Sequence, residues 1–503
     1  MTGRKNPAAW GAGRAPITTS VRAVGSDDNL HHFHAQAPVL RDYQAALDRD
    51  IRDAYRRGAR RVLAVSPTGS GKTVLFASVV AGAARKGRRV LILAHRVEII
   101  EQIGAALDRH ALPFGMIAPG ADETDHAVQI ASIATLARRL DRWRDRFDLV
   151  VLDECHHAPA DSWRRVLDAF PSARLLGTSA TPERLDGRGL GDIFEHMVVG
   201  PSVADLIAAG HLSPFTIFAP ASAPDLKGVR TRAGDYATED LRERMGGAIV
   251  ESAVKEYQRL CAGVPAVAFC LDIAHSEAVA AAFRAAGVRA KHVDGETPAD
   301  ERRAAVAALG RGQIDVLCNV ALFGEGVDVP GIGAAILLRP TQSLALFLQQ
   351  CGRALRPAPG KARALILDFA SNSSRHGLPD DPREWSLDST ARRDRPTAAM
   401  PKVRRCRECG AVNSIRADRC GNCGNPLVVS VARREIDMRL QEAGGHGDPR
   451  ALALAARLRR MTYRERLRWA GRDEGRLRAV ARACNYQPGW VRHVLEEIDG
   501  GAA

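Results

Sequence analysis

The chain has 503 residues, 46% of them hydrophobic and 26% charged, which is enough for two or three soluble domains with cores of their own. No apolar run reaches the length of a membrane span and the N-terminus lacks the layout of a secretory signal, which argues against a membrane or secreted protein; the cytoplasm is expected. A formal charge of +14 asks for a polyanionic partner, and 21 basic against 12 acidic residues follow Pro401, so nucleic acid is the first candidate.

Residues 1–35 mix Gly, Pro, Ala and Arg without apolar periodicity and read as a mobile arm. His31, His32 and His34 lie in it with no Cys or carboxylate pattern to complete a metal site. An amphipathic helix is predicted from Leu40 to about Ala59. Short apolar runs then alternate with helical patterns, at 61–65, 89–94, 127–132, 147–152 and 173–177, and again at 265–271, 289–293, 314–319, 334–338 and 363–369. This alternation predicts an α/β fold with two tandem parallel-sheet domains, over 36–210 and 211–372. A polar linker is expected over 373–404, a four-cysteine module over 405–426, a second linker over 427–447 and a basic helical region over 448–503.

Ser66-Pro67-Thr68-Gly69-Ser70-Gly71-Lys72-Thr73 lies between a predicted strand and a predicted helix, which is the setting of a phosphate-binding loop. Its glycines allow backbone N–H groups to face phosphate oxygens. Lys72 is assigned to the β/γ-phosphates of ATP and Thr73 to Mg²⁺, with Thr68, Gly69, Ser70 and Gly71 forming the cradle. Ser66 departs from the pattern, since it holds the place of the usual first glycine. Further on, the apolar run Leu149–Leu152 ends in Asp153-Glu154, the two acids needed to hold Mg²⁺ and to orient the attacking water.

In Gln349-Gln350-Cys351-Gly352-Arg353-Ala354-Leu355-Arg356 the spacing places Arg353 and Arg356 on one helix face, from which both guanidiniums can reach a triphosphate held by the other domain. Cys406, Cys409, Cys420 and Cys423 form a C-x₂-C-x₁₀-C-x₂-C pattern, the donor set of a closed, structural Zn²⁺ site. Arg404, Arg405, Arg407, Arg416 and Arg419 surround it. Aromatics near the end, including Tyr463, Trp469, Tyr486 and Trp490, read as a small core, with base stacking as the alternative.

Together these stretches resemble the superfamily 2 helicases, whose D-E-x-H element stands here as Asp153-Glu154-Cys155-His156. The resemblance runs over roughly 38–370 and implies two RecA-like domains with ATP between them. It assigns Gln44 to adenine, and His95, Arg96 and Ser132 to the nucleic-acid backbone. It also assigns His156, Ser179 and Thr181, with Gly326 and Gln349, to coupling, and Asp328 to the nucleotide. A superfamily 2 core followed by a four-cysteine module and a Tyr486-Gln487-Pro488-Gly489-Trp490 segment is similar to the RadD-like bacterial DNA-repair helicases. That likeness implies DNA rather than RNA as substrate, with single-stranded-DNA-binding protein and a recombinase as partners. Three other readings stay open: a nucleotide-gated DNA clamp that does not unwind, an RNA helicase, and the motor of a restriction system. For the last no nuclease signature is found, because Asp380 and Glu384 lack the lysine two places on.

Overall fold

The computed structural model describes residues 38–157, 161–184, 189–220, 223–232, 234–320, 331–388, 403–427, 449–484, 486 and 489–500. The expected arm over 1–35 lies outside these, as do Gly326, Asp328 and all of the expected linker over 427–447 except Leu427. The chain divides into two compact units, Met1–Val428 and Val429–Ala503. Among the described residues no helix is long and apolar enough to cross a membrane.

The first unit is built on two sheets. One holds β1 (Arg61–Val65), β2 (Val90–Ala94), β3 (Gly115–Ile117), β4 (Val128–Ser132), β5 (Leu149–Leu152), β6 (Arg174–Ser179) and β7 (His196–Val199), in the order β3-β4-β2-β5-β6-β1-β7 with every pair parallel. The runs Val-Leu-Ile-Leu-Ala and Leu-Val-Val-Leu are buried along their whole length, as strands covered on both faces require. The second sheet starts at β8 (Phe215–Phe218), before a small hairpin of β9 (Thr231–Arg232) and β10 (Asp235–Tyr236). It continues through β11 (Ala266–Phe269), β12 (Ala290–Val293), β13 (Val316–Asn319), β14 (Ala334–Leu337) and β15 (Ala364–Asp368). β16 (Val403–Arg405) and β17 (Ala411–Ser414) complete it, in the order β12-β13-β11-β14-β15-β8-β17-β16. Six strands are parallel, and the last two, from the cysteine segment, run antiparallel at the β8 edge.

The four-cysteine segment is thus an extension of the second sheet. β17 pairs with β8 through Ala411 opposite Phe218 and Val412 opposite Ile217, and Val412 joins the core of the second domain. Arg405 Nε donates to the Ala219 carbonyl at 2.6 Å, and Arg363 bonds to Asn422 Oδ1 at 3.1 Å. The ribbon covers an edge that would otherwise present unpaired backbone groups.

The expected linker from 373 is corrected by the structure, which is folded as far as Asp388. Composition misleads here because the polar side chains serve local partners. The buried Asp368 accepts hydrogen bonds from the N–H groups of Asn372 and Ser373 and from the Ser373 hydroxyl, while His376 Nε2 lies 2.9 Å from the Thr341 carbonyl. Beyond this turn the chain crosses to the first domain, where Trp385 and Leu387 pack on its core and Gly191 N–H donates to the Leu387 carbonyl at 2.8 Å. A Cβ at Gly189 would lie 2.3 Å from that same oxygen, so the strap seats only on glycine.

The second unit holds the helices Pro449–Arg460, Tyr463–Ala470, Glu474–Cys484 and Trp490–Gly500 around Leu458, Leu477, Val480 and Val494.

Candidate active site

A cavity of about 780 Å³ opens between the two sheets of the first unit. On the first-domain side β1 runs into the loop Ser66–Gly71, and the helix Lys72–Ala84 starts directly after it. Gly69 and Gly71 have φ of +88° and +78°, and a Cβ on Gly71 would lie 2.6 Å from Gln44 Nε2, so both conformation and space demand glycine. Ser66 explains its own departure from the pattern: its hydroxyl donates to Ser70 Oγ at 2.7 Å and ties the loop's ends together. Lys72 Nζ lies 3.4 Å from the Ser66 carbonyl and 3.7 Å from Glu154 Oε1. Thr68 Oγ1 is buried without a hydrogen-bond partner among the described residues. Left-handed glycines, a helix N-terminus, a lysine and an unsatisfied hydroxyl fit an anionic nucleotide tail.

Gln44, the residue assigned to adenine, stands beside the phosphate loop. Its Oε1 accepts from Arg41 N–H at 3.0 Å, and its Nε2 donates to the carbonyls of Ser70 (3.0 Å) and Gly71 (3.3 Å). The side chain is buried and tethers the phosphate loop to the helix Asp42–Arg56. Tyr43 reinforces the tether through its hydroxyl to the Ser70 carbonyl at 2.7 Å, and its ring lies 5.1 Å from that of His211. Arg41 and His211 line the cavity as well; Arg41 has no role legible in the sequence beyond its place three residues before Gln44, and His211 belongs to no spaced motif.

Asp153 and Glu154 follow β5 and are buried. Asp153 Oδ1 accepts from the Thr178 hydroxyl at 2.8 Å and from Glu154 N–H at 3.1 Å. Burial, with Glu154 beside it, pushes the Asp153 carboxyl up to about 6. Glu154 has a φ of +50°, a left-handed backbone that costs a non-glycine residue about 1–2 kcal/mol and directs its carboxylate between Lys72 and His156, whose Nδ1 is 3.5 Å away. The pair so placed fits a divalent cation at Asp153 and a water at Glu154. Ser66 N–H donates to the Ser179 carbonyl at 3.0 Å, and Ser179 Oγ accepts from Thr181 N–H at 3.3 Å, so the Ser179–Thr181 turn sits directly behind the phosphate loop.

The second domain supplies the helix Leu344–Ala354, on which Gln349 and Arg353 are buried. Gly352 meets the phosphate loop: a Cβ there would lie 2.5 Å from Thr68 Cβ. Only glycine permits this approach, and it brings Arg353 and Arg356 into the same cavity as Lys72 and Glu154. The expectation that both arginines lie on one helix needs amending, since the helix stops at Ala354 and Arg356 precedes Pro357, where continuing the helix is disfavoured. Burial lowers the pKa of Arg356. Lys361, unnoticed in the sequence, closes the helix end by donating to the carbonyls of Ala354, Arg356 (2.7 Å) and Ile332 (2.8 Å), and burial brings its amine down to about 8.

Residues 37–184 match the family described as the res subunit of type III restriction enzymes, and residues 253–358 the helicase conserved C-terminal domain. A 51.5 kDa protein of a Lactococcus phage is 35% identical over 64% of this chain and 68% of its own length. A Saccharomyces cerevisiae protein named as an ATP-dependent helicase, IRC3, is 31% identical over 67% of this chain. The chain belongs to the superfamily 2 helicases. It spans only 52% of the yeast protein's length. The fold of its two helicase domains is shared with a fragment of an HsdR subunit of a type I restriction enzyme from Vibrio vulnificus YJ016, at 21% identity and a TM-score of 0.53 over 69% of this chain and 68% of that one.

Two sets of residues in this helicase lie away from the cavity. His95 and Arg96 follow β2 and Ser132 ends β4; the register sets Ala94 beside Ser132, so all three gather at the carboxyl edge of one sheet, and Arg96 Nε donates to His95 Nε2 at 3.2 Å. The cysteines form the other set, outside both matched segments. Their four Sγ atoms lie within 4.8 Å of one another, with Cys406 and Cys423 3.7 Å apart and Cys409 and Cys420 3.6 Å apart. Thiolates at about 2.3 Å from a tetrahedral zinc stand about 3.8 Å from each other, so this donor set fits the ion. Gly410 and Gly424, at φ of +77° and +73°, turn the two knuckles, and Asn413 Nδ2 donates toward Cys420 Sγ at 3.6 Å.

Proposed function

We propose that this helicase is a DNA-dependent ATPase that translocates on or remodels DNA, acting in repair or recombination. The observation that carries the reading is the contact of Gly352 with Thr68, because it assembles the phosphate loop, the acid pair and two arginines around one cavity. Lys72 would neutralise the β/γ-phosphates of ATP, and Thr73 and Asp153 would hold Mg²⁺, which supplies charge neutralisation there. Glu154 orients the attacking water. Arg353 and Arg356 offset the charge that develops on the transferring phosphoryl group, a contribution worth about 10³–10⁵ in rate. Turnover thereby becomes conditional on closure of the cleft. Gln44 and Asp328 would contact the nucleotide, His156, Ser179, Thr181 and Gln349, with Gly326, pass closure on to the polymer, and His95, Arg96 and Ser132 grip its backbone without reading sequence.

DNA is favoured by the restriction-enzyme family matched over the first domain and by the resemblance to the RadD-like helicases. On that resemblance, single-stranded-DNA-binding protein and a recombinase are the expected partners. Cys406, Cys409, Cys420 and Cys423 bind Zn²⁺ in a structural role, fastening the ribbon to the second domain.

The test is steady-state ATP hydrolysis without polymer and with single-stranded, duplex or forked DNA or RNA, using Lys72→Ala and Arg353→Ala as controls. Stimulation by DNA that both substitutions abolish is expected. Background turnover with every polymer, or stimulation by RNA alone, would overturn the reading.

A further inference from the structure

The helical unit from 449 to 500 carries a surface that the ATPase chemistry does not use. Thr462 and Glu465 form a reciprocal cap: the carboxylate accepts from the Thr462 N–H (2.7 Å) and hydroxyl (2.8 Å), and the hydroxyl oxygen accepts from Glu465 N–H. This cap starts the helix Tyr463–Ala470 and sets Tyr463 at its first position, with 46% of the residue exposed. The ring is not alone. It lies edge-on to Tyr486 at 6.5 Å and to Trp490 at 6.4 Å, and those two rings are 4.6 Å apart.

Tyr486 and Trp490 are half-buried and rest on the unit's core, and Arg466 Nη1 donates to the Tyr486 hydroxyl at 2.8 Å. The exposed ring is therefore backed by a fixed pair. Arg464 follows Tyr463 directly, and Arg457 and Arg460 stand one turn apart at the end of the preceding helix. All three are exposed and pair with no carboxylate among the described residues, whereas Arg478 is paired with Glu474 and Arg476 with Asp473. The segment 449–500 holds twelve arginines against six acidic residues.

An exposed ring backed by two others, within a few residues of exposed arginines that have no carboxylate partner among the described residues, is what an unpaired nucleic-acid strand needs, since bases stack on rings and phosphates seek guanidinium. An acidic protein would use the charge but not the ring face. We propose that this surface is a second binding site, which holds single-stranded DNA with a base on Tyr463 and backbone phosphates on Arg457, Arg460 and Arg464. The choice of DNA rests on the function proposed above. The unit would then keep hold of a strand independently of the ATP cycle.

The experiment uses the full chain without nucleotide, a fluorescein-labelled (dT)20 for affinity and a 5-iodouracil-substituted strand for photocrosslinking. Tyr463→Ala is expected to weaken binding about fivefold or more, Tyr463→Phe to bind as wild type, and the crosslink to map to Tyr463. Replacing Arg457, Arg460 and Arg464 together with Ala should reduce the slope of log affinity against log salt by about 2. ATP turnover without DNA and the melting temperature should not move in either variant. Wild-type affinity in Tyr463→Ala, with DNA-stimulated turnover intact, overturns this site and leaves the motor standing. A wild-type chain that neither binds (dT)20 nor is stimulated by it overturns both.

Discussion

The two helicase domains contribute to the cleft in different ways. The first builds its share from groups that hold one another: Lys72 against Glu154, Asp153 against Thr178, the phosphate loop against Gln44 and Tyr43. The second adds two arginines, brought to the cleft where Gly352 lies against Thr68. On the function proposed above, cradling a nucleotide is a property of one domain's fold, whereas hydrolysis is a property of the contact between two.

The sharpest way to break this comparison is to remove one charge from each side. Lys72→Ala and Arg353→Ala are both expected to lower DNA-stimulated turnover by about 10³-fold or more. Only Lys72→Ala should also lose binding of a fluorescent ATP analogue, followed by anisotropy; equal loss in both would mean that the cradle is shared. Gly352→Val comes next. Its side chain would collide with Thr68 and hold the arginines away, and a displacement near 1 Å predicts about a 10²-fold fall in turnover with nucleotide binding kept.

Zinc removal should separate the domains differently. Structural zinc contributes roughly 10–16 kcal/mol in isolated zinc-finger peptides, so chelation or Cys420→Ser is expected to melt the ribbon. Hydrogen exchange should then quicken in β8, the strand the ribbon pairs with, and stay unchanged in β1; protection of β8 in the absence of metal would contradict the edge-covering role. The smallest effect is assigned to Ser66→Ala, which loses one hydrogen bond to Ser70, worth about 0.5–1.5 kcal/mol, and should change turnover only a fewfold.

How much of this could be read beforehand depended on range. Runs such as Val90–Ala94 and Leu149–Leu152 are apolar throughout, because a parallel strand is buried on both faces, and so they stand out. β3, β7 and β8 are three or four residues long and carry no such signal. The phosphate loop, the acid pair and the cysteines are chemistry compressed into a few consecutive residues, and spacing alone brings each set together. Contacts between distant segments were hidden. Nothing in Gly352 announces Thr68, nothing in Ala411 announces β8, and the Ser- and Asn-rich turn after Asp368 looks solvated until its hydrogen bonds are traced. Gln44 shows a subtler limit: a motif marks that a glutamine belongs near the nucleotide, but not which of its neighbours takes up its amide.

The strap through Trp385 and Leu387 has a consequence for kinetics. The chain already passes from the first sheet to the second between β7 and β8, and the strap attaches the end of the second domain to the first again at Gly191. A body moored at two places explores far less volume than one on a single line. Short tethers of this kind set effective concentrations in the millimolar range, so the arginines are never diluted from the site they serve. Finding the cleft is then an event within one chain, independent of protein concentration.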